Sequence, residues 1–471
     1  MSIYSITLSG ILILNISFIF FLIFFDRKDP ASTWAWILIL SLLPVVGFIL
    51  YLFLGLTPRK KRIFMNKAQK DRLKKQSLIN GTPDYQVWKV PDDYRDKVIQ
   101  ISFAHEQIVF SKNNKIDLFI NGTQKFRSLF KDIKEAKHHI HINYYIIRND
   151  KLSKRLVKVL TRKAKEGVKV RILYDSIGGR QLPKNFFDAF LAAGGQTAKF
   201  FPSFLDANNR NHRKIVVIDG RIGYTGGFNI GQEYIGMDKK FGFWRDTHVK
   251  ITGEASKSLQ ERFLLDWNFA SNEDLILHEL YYPKLPYYGR SGVQIVSSGP
   301  DSSWEEVKAF FLKMIYMANT SIYIQTPYFI PDESVLEALK IASISGIDVR
   351  IMVPNKPDHL FVYSANNCYG GLMLNAGARW YKYSKGFLHS KMMVVDNKIA
   401  SIGTSNMDVR SFKLNFEINS FIYDPYVAIK LKNIFMRDLK DSTEITKEIY
   451  ANRGISMKAR ESISHLISPI L

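Results

Sequence analysis

The chain opens with two long apolar stretches that contain no charged residue, at residues 1–25 and 31–58. Each is long enough to cross a hydrocarbon core, which takes about 20 helical residues. A cleaved signal peptide is the alternative for the first, but that stretch lacks a basic start and exceeds the roughly 7 to 15 apolar residues expected. For the second stretch, the alternative is a buried core helix. Trp34, Trp36 and Tyr51 near its ends instead fit anchoring at the membrane interfaces. The pattern predicts two transmembrane helices, at about residues 3–25 and 33–56.

The connector between these stretches is too short for a domain, so both chain ends are predicted on the same side of the membrane. The connector has two basic residues, Arg27 and Lys28, whereas Lys and Arg are dense from residue 59 to residue 75. The positive-inside rule then places the rest of the chain in the cytoplasm. Residues 59–100 are basic, polar and weakly periodic, and we interpret them as a juxtamembrane linker or a small supporting element.

Further along, strand-like apolar runs alternate with helix-like stretches, and the pattern occurs twice. The sequence Gly-x-x-Val-Arg-Ile is found at residues 167–172 and 346–351, and the apolar run at residues 140–146 corresponds to the run at residues 322–329. Strands alternating with helices favour an α/β architecture with helices covering a mainly apolar sheet. The sequence predicts a tandem duplication, with a first unit at residues 101–275 and a second, ending in a helical tail, at residues 276–471.

Each half also contains the pattern His-x-Lys-x4-Asp, and together the two copies form the candidate catalytic set: His212, Lys214, Asp219, His389, Lys391 and Asp396. From average residue usage, two such matches arise by chance on the order of one time in a thousand. After each lysine comes an apolar run and a turn, which predicts a β-hairpin. Small-residue turns after the hairpins carry Asn229 and Asn406, whose side chains can donate to a phosphate oxygen.

Composition narrows the cellular setting without choosing the ligand. The single cysteine, Cys368, excludes an internal disulfide and suits a reducing compartment. The formal charge of +23 fits either an anionic membrane surface or nucleic acid. The predicted membrane hairpin favours lipid, because it holds the basic body beside anionic headgroups.

The motifs and their flanking segments resemble the phospholipase D superfamily, and the whole arrangement resembles bacterial cardiolipin synthases. The resemblance covers nearly the whole chain and includes residues 226–234, 244–248, 326–331, 403–408 and 414–417. It implies two tandem phospholipase D-like α/β/α sandwich units related by a pseudo-twofold axis, with both motifs at one site. It also implies a multi-pass enzyme of the bacterial cell membrane that acts on an anionic phospholipid, phosphatidylglycerol.

The resemblance assigns roles that the residue types support. His212 is implied as the nucleophile that forms a phosphatidyl-histidine, and His389 as the general acid and then base, although the sequence alone does not order them. Lys214, Lys391, Asn229 and Asn406 would bind the phosphate oxygens. Asp246 and Glu417 are implied to orient His212 and His389 respectively. Asp219 and Asp396 are implied to be framework residues at the turns.

The implied activity is transfer of a phosphatidyl group between two phosphatidylglycerols, giving cardiolipin and glycerol. Hydrolysis to phosphatidic acid is the nearest alternative, because the motifs handle the phosphate and do not select the acceptor. Processing of phosphatidylserine or phosphatidylethanolamine is also conceivable. A membrane-tethered nuclease or nucleic-acid-binding protein is the alternative from another class, and we expect no nucleic-acid partner. We expect no metal and no other cofactor, since neither motif offers a second close histidine or carboxylate as ligand.

Overall fold

A computed structural model describes residues 3–26, 30–54, 58–81, 108–201, 208–271, 273–276, 278–302, 304–466 and 468. The amino-terminal apolar stretches are helical: α1 (Ile3–Phe21) continues into a π-helical turn (Leu22–Asp26), and α2 (Pro30–Leu42) and α3 (Pro44–Leu54) follow. Among the residues so described, no helix meets the length and apolarity needed to span a bilayer. The predicted transmembrane helices are therefore not confirmed.

These three helices pack against one another. The ring of Phe18 lies 5.1 Å from that of Phe48 and 4.8 Å from that of Tyr51, and Trp36 lies 5.0 Å from Tyr51. The break between α2 and α3 falls at Pro44, whose missing N–H cannot continue the helix. The two apolar stretches thus form a compact helical hairpin.

Helix α4 (Pro58–Gly81) follows and lies on the main body of the protein. Phe64, Lys67 and Leu78 on this helix are buried. The first part of the predicted basic linker is therefore this packed helix, which is the supporting element that was one of the two interpretations. Residues 82–100 lie outside the described part of the chain.

The main body contains a seven-stranded sheet in the first half, with strand order β2-β9-β7-β6-β3-β4-β5. Its strands are β2 (Asn114–Phe119), β3 (His139–Tyr144), β4 (Lys169–Tyr174), β5 (Gln196–Lys199), β6 (Ile215–Ile218), β7 (Ile222–Gly226) and β9 (His248–Gly253). The run after Lys214 forms the β6–β7 hairpin that the sequence predicts. Strands β3, β4 and β5 are parallel, whereas β6 and its neighbours are antiparallel.

The second half repeats this order in a nine-stranded sheet, β1-β10-β19-β17-β16-β11-β13-β14-β20. Its strands are β1 (Phe110–Ser111), β10 (Gly292–Ser298), β11 (Ser321–Gln325), β13 (Asp348–Pro354), β14 (Arg379–Tyr383), β16 (Met392–Val395), β17 (Ile399–Gly403), β19 (Glu417–Tyr423) and β20 (Ser442–Ile445). The strands from β10 to β14 match the first sheet one for one, and β1 and β20 extend the edges. The predicted duplication is confirmed.

Helices cover both sheets. They are α5 (Gly122–Glu135), α6 (Lys151–Lys165), α7 (Asp188–Ala192), α8 (Ala255–Ser271), α9 (Glu306–Tyr316), α10 (Glu333–Ile344), α11 (Leu360–Asn375), α12 (Val409–Lys413), α13 (Pro425–Leu439), α14 (Lys447–Ala451) and α15 (Ile455–Leu466). Each sheet has its own core on one face. On the other face, α8 and α13 share one core that joins the halves, so the two units are fixed relative to each other.

The motif aspartates occupy equivalent turns. Asp219 and Asp396 both have a positive φ, at 52° and 53°. The Asp219 carboxylate accepts hydrogen bonds from the backbone N–H groups of residues 137–139, and the Asp396 carboxylate accepts from those of residues 319–321. Each aspartate therefore ties the hairpin turn to the segment that enters the central strand.

We predict that Asp219→Ala destabilises the fold without removing the chemistry. Three backbone donors lose their charged acceptor, which costs on the order of 1–3 kcal/mol, and alanine disfavours the left-handed conformation. The midpoint of thermal unfolding in detergent should fall, while turnover per folded molecule persists. Asp188→Ala, at an exposed position, is the control. Equal midpoints for Asp219→Ala and the parent would contradict the framework role.

Candidate active site

The two motifs meet where the halves of the molecule join. His212 and Lys214 lie immediately before β6, and His389 and Lys391 lie immediately before β16. Two short cross-connections bring these strand entrances together. Asn211 forms an isolated bridge with Phe416 of the second half, and β8 (Phe243–Arg245) pairs in parallel with β15 (Gly386–Leu388).

Each histidine is paired with a carboxylate of the opposite half. His212 Nδ1 lies 2.9 Å and 3.0 Å from the two carboxylate oxygens of Glu417. His389 Nδ1 lies 2.8 Å from Oδ2 of Asp246. Such a bond fixes the ring orientation and leaves Nε2 to face a substrate.

This arrangement corrects the implied assignment of Asp246 to His212 and of Glu417 to His389, which was wrong. The reason is backbone pairing across the junction. His212 N–H donates to the carbonyl of Phe416 at 3.0 Å, and His389 N–H donates to the carbonyl of Arg245 at 2.7 Å. Each accepting residue directly precedes a carboxylate, so each histidine meets the acid of the other half.

Both carboxylates are held by further hydrogen bonds. Glu417 accepts from the hydroxyl of Thr404 and, at 3.2 Å, from the side-chain amide of Asn415. Asp246 accepts from the indole N–H of Trp244 at 3.4 Å and from the backbone N–H of Thr247 at 2.7 Å. Both acids are fully buried, so their orientation is set by the fold.

The two lysines are mirrored as well. Lys214 Nζ donates to the carbonyl of His212 at 2.6 Å, and Lys391 Nζ donates to the carbonyl of His389, also at 2.6 Å. Burial lowers the pKa of Lys214 to about 7 and that of Lys391 to about 8, while nearby carboxylates oppose the shift. An ammonium desolvated in this way gains strongly from an anionic ligand.

The surroundings of both histidines favour the neutral imidazole. Burial, and then the positive charge of the nearby lysines, lowers the pKa of His212 well below its usual value and that of His389 to about 4. Burial raises the pKa of Glu417 to about 7, although Lys214 opposes that shift. A neutral imidazole has a free lone pair, so either histidine can act as a nucleophile.

The two asparagines follow β7 and β17, the second strands of the two equivalent hairpins. The amide nitrogen of Asn229 donates to the hydroxyl of Tyr234 at 3.1 Å, and its oxygen accepts from the backbone N–H of Ile146. The amide nitrogen of Asn406 lies 3.2 Å from Asp408 Oδ2, and the amide oxygen of Asn406 is buried without a hydrogen-bond partner. Each amide group has one further N–H for a ligand.

Two tyrosines in this region were not among the predicted site residues. The ring of Tyr145 lies 5.1 Å from that of His212, and its hydroxyl accepts from Arg210 Nη1 at 2.6 Å. Tyr328 donates to Asp358. Both tyrosines follow the equivalent strands β3 and β11, so a comparison of the duplicated segments is the signal that points to them.

A short apolar segment at residues 200–205 precedes His212, and its sequence suggests either insertion among lipid chains near the site or packing within the core. Phe200 and Phe201 are buried. Their rings lie 5.0 Å and 5.8 Å from that of Phe416. These two residues belong to the core, and residues 202–207 lie outside the described part of the chain.

Over the residues covered by the structure, no cluster of three or more His, Cys, Asp or Glu side chains could hold a metal ion.

The duplicated α/β body with one His-Lys pair from each half at a single junction is the arrangement of the phospholipase D superfamily. The chain matches the family model described as "Cardiolipin synthase, PLD-like domain" over residues 129–267 and 311–439. The model "Phospholipase_D-nuclease N-terminal" matches residues 13–55. This chain belongs to the cardiolipin synthase family of phospholipase D-like proteins.

Relatives match over their full length. The chain is 48% identical over 482 residues to the major cardiolipin synthase ClsA of Bacillus subtilis (strain 168), with 100% of both chains covered. It is 46% identical over 473 residues to a cardiolipin synthase of Listeria monocytogenes serotype 4b (strain CLIP80459), with 98% of each covered. The phosphatidylserine synthase of Haemophilus influenzae Rd KW20 aligns with a TM-score of 0.61 at 14% identity, covering 80% of this chain and 100% of that one. That likeness shows a shared fold.

We predict that activity falls on the alkaline side as the active-site lysines lose their protons. Because the pKa values of Lys214 and Lys391 are lowered to about 7 and about 8, kcat/KM should decrease as pH rises through this range. Lys214→Arg keeps its charge and should move the alkaline limb up by about one pH unit, at a lower overall rate. Lys385→Arg, at an exposed ion pair with Asp441, should leave the profile unchanged. An identical alkaline midpoint in Lys214→Arg and the parent would count against this assignment.

Proposed function

We propose that this protein is a cardiolipin synthase that transfers a phosphatidyl group from one phosphatidylglycerol to another, releasing glycerol. The observation that carries the chemistry is the pair of imidazoles at the junction, each partly exposed and each held by a carboxylate of the opposite half. The full-length relatives named cardiolipin synthase favour lipid transfer over the other reactions that such a site supports.

In the first half-reaction, His212 Nε2 attacks the phosphorus of the donor lipid. The P–N bond forms as the P–O bond to the headgroup glycerol breaks, and His389 gives its proton to the departing oxygen. His389 must be protonated for this step, and the negative charge of a bound phosphate favours that form. Glu417 stabilises the positive charge that develops on His212, 2.9 Å away.

In the second half-reaction, His389 is neutral and takes the proton of the acceptor's primary hydroxyl. The acceptor oxygen attacks the phosphorus, the P–N bond breaks, and His212 is regenerated. Glycerol and the acceptor lipid thus occupy the same position in turn. By this symmetry, one residue serves as acid and then as base.

The phosphate oxygens carry the charge that shifts during each displacement. Lys214 and Lys391 are both buried at the junction, where their interaction with an anion is much stronger than in water. The amide groups of Asn229 and Asn406 supply further donors. Donors fixed in place before the reaction stabilise the transition state without reorganisation.

We predict that the purified protein makes cardiolipin in vesicles of phosphatidylglycerol, and that His212→Ala abolishes this. The measurement is mass spectrometry of the lipids together with glycerol release. Asp188→Ala, at an exposed position of the same half, is the matched control and should retain activity.

The alternatives give distinct products. Phosphatidic acid without cardiolipin would mean that water outcompetes the lipid acceptor and that the protein is a hydrolase. Cleavage of DNA or RNA in the absence of lipid, with steeply salt-dependent binding, would identify a nuclease. Phosphatidylserine or phosphatidylethanolamine in the product mixture, when serine or ethanolamine is supplied, would identify a different acceptor.

We also propose the membrane arrangement that the sequence indicates. Residues 1–58 form a two-helix transmembrane hairpin, residues 59–100 link it to the body, and residues 101–275 and 276–471 form the two units in the cytoplasm. The packed apolar helices and the basic character of α4 support this proposal. Arg and Lys that follow a membrane span remain on the cytoplasmic side.

We predict that protease added to right-side-out vesicles leaves the main body intact, whereas inverted vesicles allow its digestion. Immunodetection of a carboxyl-terminal tag provides the readout. A periplasmic or extracellular marker protein serves as the control for vesicle orientation. Digestion from the outer side would reverse the proposed topology.

A further inference from the structure

Helix α4 packs directly beside the segment that contains the partner of His212. The ring of Phe64 lies 5.7 Å from that of Phe416 and 6.1 Å from that of Phe201, edge to face in both cases. One turn further along α4, Lys67 Nζ lies 5.6 Å from the Phe416 ring. Phe416 directly precedes Glu417, so α4 covers the carboxylate segment from behind.

Lys67 is the buried centre of an ionic cluster whose outer members are partly exposed. Its ammonium lies 2.5 Å from Asp71, 2.9 Å from Asp301 and 3.8 Å from Asp266. Arg262 donates to Asp71 and Asp266 at 2.8 Å in each case. The side chain of Lys67 is 1% exposed, which is rare for a lysine and requires close partners.

The cluster reaches the catalytic motif through Arg213, the residue between His212 and Lys214. Arg213 Nη1 lies 2.9 Å from both carboxylate oxygens of Asp266. Its Nε donates to the carbonyl of Glu417 at 3.1 Å. The guanidinium therefore connects the cluster to the residue that orients the histidine.

The opposite side of the same segment contacts the histidine itself. The carbonyl of Phe416 accepts from the N–H of His212 at 3.0 Å, and the Glu417 carboxylate binds His212 Nδ1. Phe416 and Glu417 are thus held between α4 and His212. A shift of α4 would displace the carboxylate and the imidazole together.

The charges in this cluster balance. Lys67, Arg213 and Arg262 face Asp71, Asp266 and Asp301. Lys67, Arg213 and Asp266 are buried, so removing the Lys67 charge leaves excess negative charge in a region of low dielectric, and the remaining groups must rearrange. The second half is built differently, since the position of Arg213 is taken by Ser390, which hydrogen-bonds to Thr247 at 2.7 Å.

We propose that Lys67 is a positioning residue for catalysis: through the ionic cluster and the Phe416–Glu417 segment, docked α4 holds His212 in its reactive orientation. Turnover is then coupled to the helix that follows the amino-terminal apolar helices. This inference rests on the proposed function, in which His212 reacts with the phosphorus.

The test compares Lys67→Met with Lys74→Met in the full-length protein reconstituted in phosphatidylglycerol vesicles. Lys74 lies on the same helix and pairs with the exposed Asp274 at 3.1 Å. We expect Lys67→Met to lower kcat by at least about 10-fold with KM changed by less than about 2-fold, because orientation is lost and substrate contacts are kept. Lys74→Met should behave as the parent. The double variant Lys67→Met/Asp301→Asn restores the charge balance and should recover part of kcat.

A second measurement does not depend on turnover. Diethyl pyrocarbonate modifies neutral imidazoles, and peptide mass spectrometry reports each histidine separately. In Lys67→Met, the rate at His212 should change relative to that at His389, whereas Lys74→Met should keep the parent ratio. Glycerol release serves as the kinetic readout even if water is the acceptor.

The outcomes separate the two hypotheses. An unchanged kcat and an unchanged labelling ratio in Lys67→Met would overturn the positioning role, as would loss of folded protein with a parent-like kcat in the folded fraction. A parent protein that releases no glycerol would instead overturn the proposed function, and the labelling ratio would still decide the positioning of His212.

Discussion

The crossed histidine–carboxylate pairs are the interaction on which the rest of this structure depends. Glu417 orients His212, and Asp246 orients His389, so neither half contains a complete site. Both pairs require the two sheets to meet at one distance and one angle. The shared core of α8 and α13 provides that constraint, since packed interiors resist small displacements.

Burial of these pairs determines the chemistry of the site. Two imidazoles, two carboxylates and two lysines lie at one junction. The pKa values of both histidines and both lysines are lowered there. Desolvation would make such a collection costly if it served stability alone. An anionic phosphate gives the two lysine ammonium groups a negatively charged partner. Its charge also favours the protonated histidine that must donate a proton to the leaving group. The charges at this junction are therefore arranged for an anionic phosphate.

Much of the fold could be predicted from the sequence because its signals are local. The apolar run and turn after Lys214 and after Lys391 specify a hairpin in each half, and repetition of whole segments specifies the duplicated strand order. The partners of the histidines could not be predicted in the same way. The family resemblance implied a partner within each half, whereas the pairing is set by backbone bonds across the junction. The basic segment after the apolar helices is a further example, because its charges suggest a solvated surface although Lys67 is buried.

Duplication supplies two similar halves, but the reaction needs two different histidines. One difference lies within the motifs, where Arg213 of the first corresponds to Ser390 of the second, and others lie beside them. In the first half Arg213 and Asp266 connect the motif to α4, whereas beside the second motif Arg245 of the first half reaches across the junction to Asp438 at 2.9 Å. The two carboxylates also differ in side chain, a glutamate at 417 and an aspartate at 246, and burial raises the pKa of Glu417 to about 7. Unequal surroundings of equal motifs allow one imidazole to form the covalent intermediate while the other transfers protons.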